Sequence, residues 1–225
     1  MQTDQKPIVG AIIIAGILIA GAIMLRGSST GTIPVAGNDG SNNPPQLRAI
    51  NKDEHILGNP NAKIVVVEYS DLECPYCQRF HKTMHQIVEG NDDVAWVYRH
   101  YPIPQLHPKA FQEAEATECA WEQGGNDAFW KYTDRVFEIT PSNNGLGASE
   151  LPRIAEYVGL DVALFNECLA SGKFAEKIQA DMEDGTRAGV QGTPSSFILK
   201  NGKLVDTIPG ALSFESIIQK LDALK

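Results

Sequence analysis

Ile64-Val65-Val66-Val67-Glu68-Tyr69-Ser70-Asp71-Leu72-Glu73-Cys74-Pro75-Tyr76-Cys77 runs from a β-branched stretch into a cysteine pair. The first part is short, apolar and preceded by Asn59-Pro60-Asn61, which reads as a central strand buried on both faces. A helical pattern follows from Pro75 to about Glu89. Cys74 and Cys77 therefore stand directly after a strand and at a helix start. There the first sulfur meets unpaired backbone N–H groups and the positive end of the helix dipole, both of which favour thiolate. Cys74 is expected to be an exposed nucleophile of lowered pKa, with Cys77 the buried resolving thiol one turn further in. Pro75 fits the first turn, where its missing N–H costs little. The same spacing would also make half a zinc site, but zinc wants a second close pair of ligands, and Cys119 and Cys168 stand far apart.

Two further features belong with the pair. Glu68 interrupts an apolar strand, and a carboxyl there is costly without a role. Desolvation is expected to raise its pKa, so that it can exchange a proton with Cys77. The bland alternative is an edge residue reaching solvent. Thr193-Pro194 precedes the last pair of strands. It is either an edge-strand device or a cis bond that offers Thr193 to an extended substrate peptide.

Outward from this stretch, Val94 to His100 reads as a second strand, giving a β-α-β start. Residues from Pro108 to about Gly189 read as mostly helical, broken at Gly124-Gly125, Pro141 to Gly145, and Gly159. Ser196–Leu199 and Leu204–Ile208 flank Asn201-Gly202, a strong hairpin signal. A final amphipathic helix, about Ser213 to Ala223, has Ser213 as its N-cap. Strands split by a helical block imply one α/β sheet carrying a helical insertion at about 106–188.

The N-terminal part differs in kind. Ile8 to Leu25 is an uncharged apolar run, roughly 27 Å long as a helix at about 1.5 Å per residue, which matches a bilayer core. It reads as a transmembrane anchor over 7–25 behind a cytoplasmic stub at 1–6. The alternative is a cleaved signal peptide, whose apolar part is normally shorter and ends at small residues. A Gly-, Ser- and Asn-rich linker spans 26–49. The formal net charge of −9 argues against a nucleic-acid partner. Four cysteines are too few for a disulfide scaffold, yet an even count suits an exported protein.

Taken with Tyr101-Pro102, His107-Pro108, Glu118-Cys119-Ala120 and Gly189-Val190-Gln191-Gly192-Thr193-Pro194, residues 50–225 resemble the DsbA-like thiol–disulfide oxidoreductases. The resemblance implies a thioredoxin fold with an inserted helical domain. It implies a redox-active disulfide at Cys74 and Cys77, a buried acid at Glu68 and a cis-proline at Pro194. Pro75, Tyr76, Thr193 and Pro194 would meet the substrate, and Cys119 and Cys168 would form a structural disulfide. The alternative for the last two is a pair of buried thiols. The sequence departs at Tyr76: the best-known strong oxidant of the family has Pro-His, and tyrosine brings no positive charge. Pro-Tyr is also the glutaredoxin pairing. Potentials run from about −120 mV for DsbA to about −270 mV for thioredoxin.

The function expected is insertion of disulfides into exported client proteins that carry free thiols, by an enzyme needing no cofactor or metal. The catalytic domain would face the periplasmic or extracellular side of the cytoplasmic membrane. By resemblance, a quinone-linked membrane reoxidase would recharge it. The rivals are a membrane-anchored reductase or isomerase, and a non-enzymatic thiol chaperone or metal-delivery assembly factor. His81 and His85, four apart on the active-site helix, offer a metal stripe with Cys77, but read more simply as solvated helix-face residues. Trp121, Phe129, Trp130 and Phe137 read as core of the insertion, and His107-Pro108 as a helix-start element.

Overall fold

β2 (Ile64–Ser70) is the middle strand, and its neighbours explain why it is apolar. In the computed structural model, which describes residues 45–225, a five-stranded sheet has the order β1-β3-β2-β4-β5. β3 (Val94–His100) lies parallel to β2, and β4 (Ser195–Lys200) antiparallel to it. β5 (Lys203–Pro209) pairs with β4 through the Asn201-Gly202 turn, in which both residues have positive φ (52° and 74°). That is the backbone a two-residue hairpin needs. β1 (His55–Gly58) closes the other edge, antiparallel to β3. The sequence pattern does not reveal β1: it is four residues long and begins with a histidine.

Alternation along β2 assigns its faces. Ile64, Val66 and Glu68 share one face with Trp96 and Tyr98 of β3, in register across the pair. This face is covered by α1 (Pro75–Glu89) through Cys77, Phe80, Met84 and Ile87, and by α6 (Phe214–Asp222) through Ile217 and Leu221. Val67 and Tyr69 face the other side, with Phe197, Leu199 and Ala188. Pro75 at the first turn and the extended Cys74 start α1, and its apolar residues recur at helical spacing. Ser213 caps α6 by accepting from the Ser216 N–H.

Between β3 and β4 stand α2 (Ala110–Ile139), α3 (Glu150–Tyr157), α4 (Val162–Ser171) and α5 (Ala175–Ala188). α2 is two helical runs meeting at Gly125, whose φ of 64° and ψ of −153° no L-residue adopts comfortably. Phe129, Trp130 and Phe137 are buried in the shared core and Trp121 packs against it. Cys119 in α2 and Cys168 in α4 are joined by a disulfide with Cα atoms 5.8 Å apart. α5 crosses to the second face, where Gly185 lets Tyr69 and Tyr101 approach its backbone.

The stub, the anchor at 7–25 and the linker up to residue 44 lie outside the described residues. Among the described residues no helix is long and apolar enough to cross a membrane. The folded part begins earlier than the expected residue 50. Leu47 packs on the second face, and Arg48 reaches Glu54 and Asp181 at 3.1 and 2.9 Å. The long-range ion pair to Asp181, which local composition does not report, holds this segment down.

Candidate active site

Cys74 is the N-cap residue of α1, in extended conformation (φ −81°, ψ 121°), and Pro75 follows in the first turn. Its Sγ lies 3.4 Å from the Thr193 carbonyl oxygen. The thiol is held down to about 6. The hydrogen bond from the Cys77 thiol does most, burial works against it, and the Cys77 and Tyr76 amides and Thr193 add to the lowering. No acidic residue occupies the first turn of α1 to oppose a negative sulfur. Against expectation Cys74 is not exposed: only 5% of its surface reaches solvent. The Thr193–Pro194 segment, 119 residues away in sequence, comes up against it.

Cys77 is completely buried one turn further in, and accepts at 3.5 Å from the Asp71 N–H. Burial pushes its thiol well above the ordinary range, and the neighbouring Cys74 and Glu68 push the same way. The two sulfurs are thus displaced in opposite directions.

Glu68 is also completely buried. Burial raises it to about 8, with the neighbouring Ser70 hydroxyl and the Trp96 indole pulling back and the Cys74 charge adding to the rise. The Trp96 indole N–H donates to Oε2 at 2.9 Å, while Oε1 has no hydrogen-bond partner. A carboxyl in this setting is protonated at neutral pH.

The Thr193–Pro194 peptide bond is cis, and Pro194 is buried at the head of β4. Tyr76 is 57% exposed beside Cys74, with the Arg79 guanidinium 4.9 Å from its ring centre. Cys74, Cys77, Glu68, Thr193, Pro194, Pro75 and Tyr76 thus converge on one end of the sheet. Cys119 and Cys168 stand apart, in the insertion.

A second buried acidic group adjoins the pair, and sequence reasoning missed it. Glu73, immediately before Cys74, accepts from the backbone N–H groups of Asn144, Gly145 and Leu146. Glu113 lies nearby; burial, then the Glu73 carboxyl, push it up to about 9. Asp71 Oδ2 accepts from the Ile103 N–H at 2.8 Å and lies 2.9 Å from His107 Nδ1. His107 is therefore more than a helix-start residue: it ties the loop before α2 to the turn before Cys74. The signal was the density of acids in Asp71-Leu72-Glu73, which received no separate reading. His81 also departs from its reading as a solvated residue, since it is buried between α1 and α2.

The family profile described as "Thioredoxin" matches residues 50–220. Among curated proteins, Na(+)/H(+) antiporter NhaA 3 of Salinispora tropica is 36% identical over 150 residues. The match takes in 67% of this chain but 22% of that protein, so the chain spans under a quarter of the relative's length. Among solved structures, Pseudomonas aeruginosa DsbA2 superposes with a TM-score of 0.66 at 27% identity, covering 79% of this chain and 97% of that one. A thioredoxin-like oxidoreductase from Silicibacter pomeroyi DSS-3 gives 0.65 at 26%, covering 77% and 93%. The fold, the cysteine pair at the head of α1 and these matches agree: the chain belongs to the thioredoxin family, among its DsbA-like thiol–disulfide oxidoreductases.

Proposed function

We propose that this protein is a membrane-tethered dithiol oxidase that introduces disulfides into exported proteins. The observation that carries the reading is the opposite displacement of the two thiols, Cys74 down to about 6 and Cys77 well up. A stabilised Cys74 thiolate stabilises the reduced pair, and a stable reduced form makes the disulfide oxidising.

The steps follow from that asymmetry. A client thiolate attacks Sγ of Cys74 in the oxidised pair, and the Cys74–Cys77 bond breaks with its electrons going to Cys77. Cys77 is a poor thiolate in its buried position, so it takes a proton, for which Glu68 is the placed donor. A second client thiolate then attacks the client sulfur of the mixed disulfide, and Cys74 leaves as a thiolate. Two electrons have passed to the pair and the client holds a new disulfide. The exposed Tyr76 and the Thr193–Pro194 segment beside Cys74 form the surface on which an extended client strand lies. A quinone-linked membrane partner returns the pair to the disulfide, and the 7–25 anchor keeps the domain at the outer face of the cytoplasmic membrane. Cys119 and Cys168 serve as a structural brace.

The deciding experiment equilibrates the full chain with glutathione buffers and reads the Cys74–Cys77 potential. A value of about −120 to −180 mV is expected. A value near about −270 mV would reverse the direction and make the protein a reductant. Cys74→Ser is expected to abolish client oxidation, and a Cys74→Ser protein that still oxidises thiols sinks the assignment.

A further inference from the structure

His81 and His85 stand one turn apart on the same face of α1, and both turn their Nε2 atoms to one acid of the insertion. Asp134 Oδ1 lies 2.7 Å from His81 Nε2 and 2.8 Å from His85 Nε2. One donor atom from each residue falls within a common 4.8 Å. We propose that His81, His85 and Asp134 form a binding site for a divalent transition ion of the zinc class, separate from the cysteine pair.

The donor set is the first argument. Two imidazoles and a carboxylate suit zinc and its neighbours, whereas calcium and magnesium want an all-oxygen shell. Histidines four apart on one helical face are a recurring way to present two nitrogens to one ion.

Geometry is the second. Metal–ligand bonds of about 2.0–2.2 Å at tetrahedral angles put donor atoms roughly 3.3–3.5 Å apart. The two histidine–aspartate separations are shorter by less than about 1 Å, and the two imidazole donors lie within 4.8 Å of each other. Asp134 lies on the solvent side with 42% of its side chain exposed, so it is free to make that adjustment.

The surroundings supply the third. The imidazoles back onto Trp96, Trp130 and Phe137: His81 stands 5.1 Å from the Trp96 ring and 4.5 Å from Phe137, and His85 5.6 Å from Trp96. This wall holds the rings in place and keeps water from one side, as an outer shell does. On the open side a surface groove of about 370 Å³ carries Glu89 and Glu138 with a single cation, Lys82. Glu89 Oε1 is 3.9 Å from His85 Nδ1, within reach of the carboxylate–imidazole support typical of ligating histidines. The site thus has three protein ligands from two packed helices and a fourth position facing solvent.

The other histidine cluster, His55, His100 and Glu118, does not compete. It is wholly buried, and the Lys177 ammonium already sits 2.6 Å from Glu118 Oε1.

The test titrates Zn²⁺ into tag-free full-length protein with Cys74 and Cys77 oxidised, so that neither free thiol contributes, using a competing chromophoric chelator. One equivalent is expected, with Ca²⁺ and Mg²⁺ failing to displace it. Ni²⁺ in its place is expected to quench tryptophan fluorescence, because Trp96 and Trp130 abut both imidazoles. His85→Ala and Asp134→Asn, each checked for an unchanged far-UV circular dichroism spectrum, are expected to weaken Zn²⁺ by more than the roughly 10–100-fold that loss of a supporting residue costs, and to abolish the quenching. Absence of stoichiometric Zn²⁺ binding by the parent protein would overturn the proposal. So would variants that bind as tightly as the parent, or Ca²⁺ binding of equal strength.

Discussion

Cys74 and Glu68 are both displaced from their ordinary titration, and the displacements act on stability with opposite signs. Cys74 is lowered in the fold from 9.0 to about 6. The unfolded reduced chain therefore holds a proton between those values that the folded chain has lost, and folding gains as pH rises. That contribution is complete above the unfolded value and disappears as pH falls through about 6. The unfolding free energy of the reduced protein, relative to the oxidised one, is expected to climb between pH 6 and 9 with a slope of at most about 1.4 kcal/mol per pH unit. A flat difference would show that the Cys74 thiolate is not stabilised. Glu68 is raised from 4.5 to about 8, so its contribution is full at low pH and is lost as pH rises through about 8. Glu68→Gln is expected to flatten that decline. It is also expected to slow client oxidation by about 100-fold, the lower end of general acid–base effects, without changing the alkylation midpoint of Cys74 by much. Stopped-flow oxidation of a model dithiol peptide would read the rate. A Glu68→Gln enzyme at full speed would remove the carboxyl from the mechanism. Both residues were legible from position alone, because an acid inside an apolar strand and a cysteine at a helix start are local anomalies. Their settings were not, since Trp96 and Thr193 arrive from elsewhere in the chain.

At the scale of elements, the α5 contact with the sheet turns on Gly185. A Cβ there would meet Tyr101 and Tyr69 ring atoms at 2.8 Å. In an open helix, Gly→Ala gains about 1 kcal/mol. Here Tyr69 is fixed by its hydrogen bonds with Asp184 and Arg99 and cannot withdraw. Overpacking of about 1–3 kcal/mol then outweighs the propensity gain. Gly185→Ala is expected to lower stability in chemical denaturation, and a gain would mean that α5 stands further off the sheet. The elements with local signatures were readable: β2, α1, the hairpin at Asn201-Gly202 and α6 with its Ser213 cap each carry periodicity or turn chemistry. β1 carries neither. It is a strand because β3 offers it an edge, and His55 at its head is buried because Glu118 and Phe129 receive it.

For the whole molecule, the insertion has to stay folded on the sheet, and the Cys119–Cys168 disulfide closes it over a separation of 49 residues. The chain-entropy model gives such a loop about 4 kcal/mol. A Cys119→Ala, Cys168→Ala double variant is expected to lose most of that in chemical denaturation, while Cys74 alkylation kinetics stay as they were. Loss of less than about 1 kcal/mol would mean that helix packing alone holds the insertion. On the opposite face Arg99 is fully buried between Glu54 and Asp184, at 2.8 and 2.7 Å, and its guanidinium also donates to the Arg48 carbonyl. This network ties the segment before β1 to β3 and α5. Replacing one partner of such a buried pair leaves an uncompensated charge, and so is strongly destabilising.

The amino-acid sequence by itself determined what depends on near neighbours: the strand leading into Cys74-Pro75-Tyr76-Cys77, the helix beginning there, the β-α-β and β-β-α halves, and the misfit acid at Glu68. These follow from side-chain period, capping and turn chemistry, which act over a few residues. Only the tertiary structure decided the rest. It covers Cys74 with Thr193, sets Trp96 on Glu68, joins His81 and His85 to Asp134, and buries Arg99 between acids from two distant segments. Each of these contacts joins residues at least 28 positions apart in sequence. No local pattern encodes such meetings, because they come into being when the sheet and its helices pack.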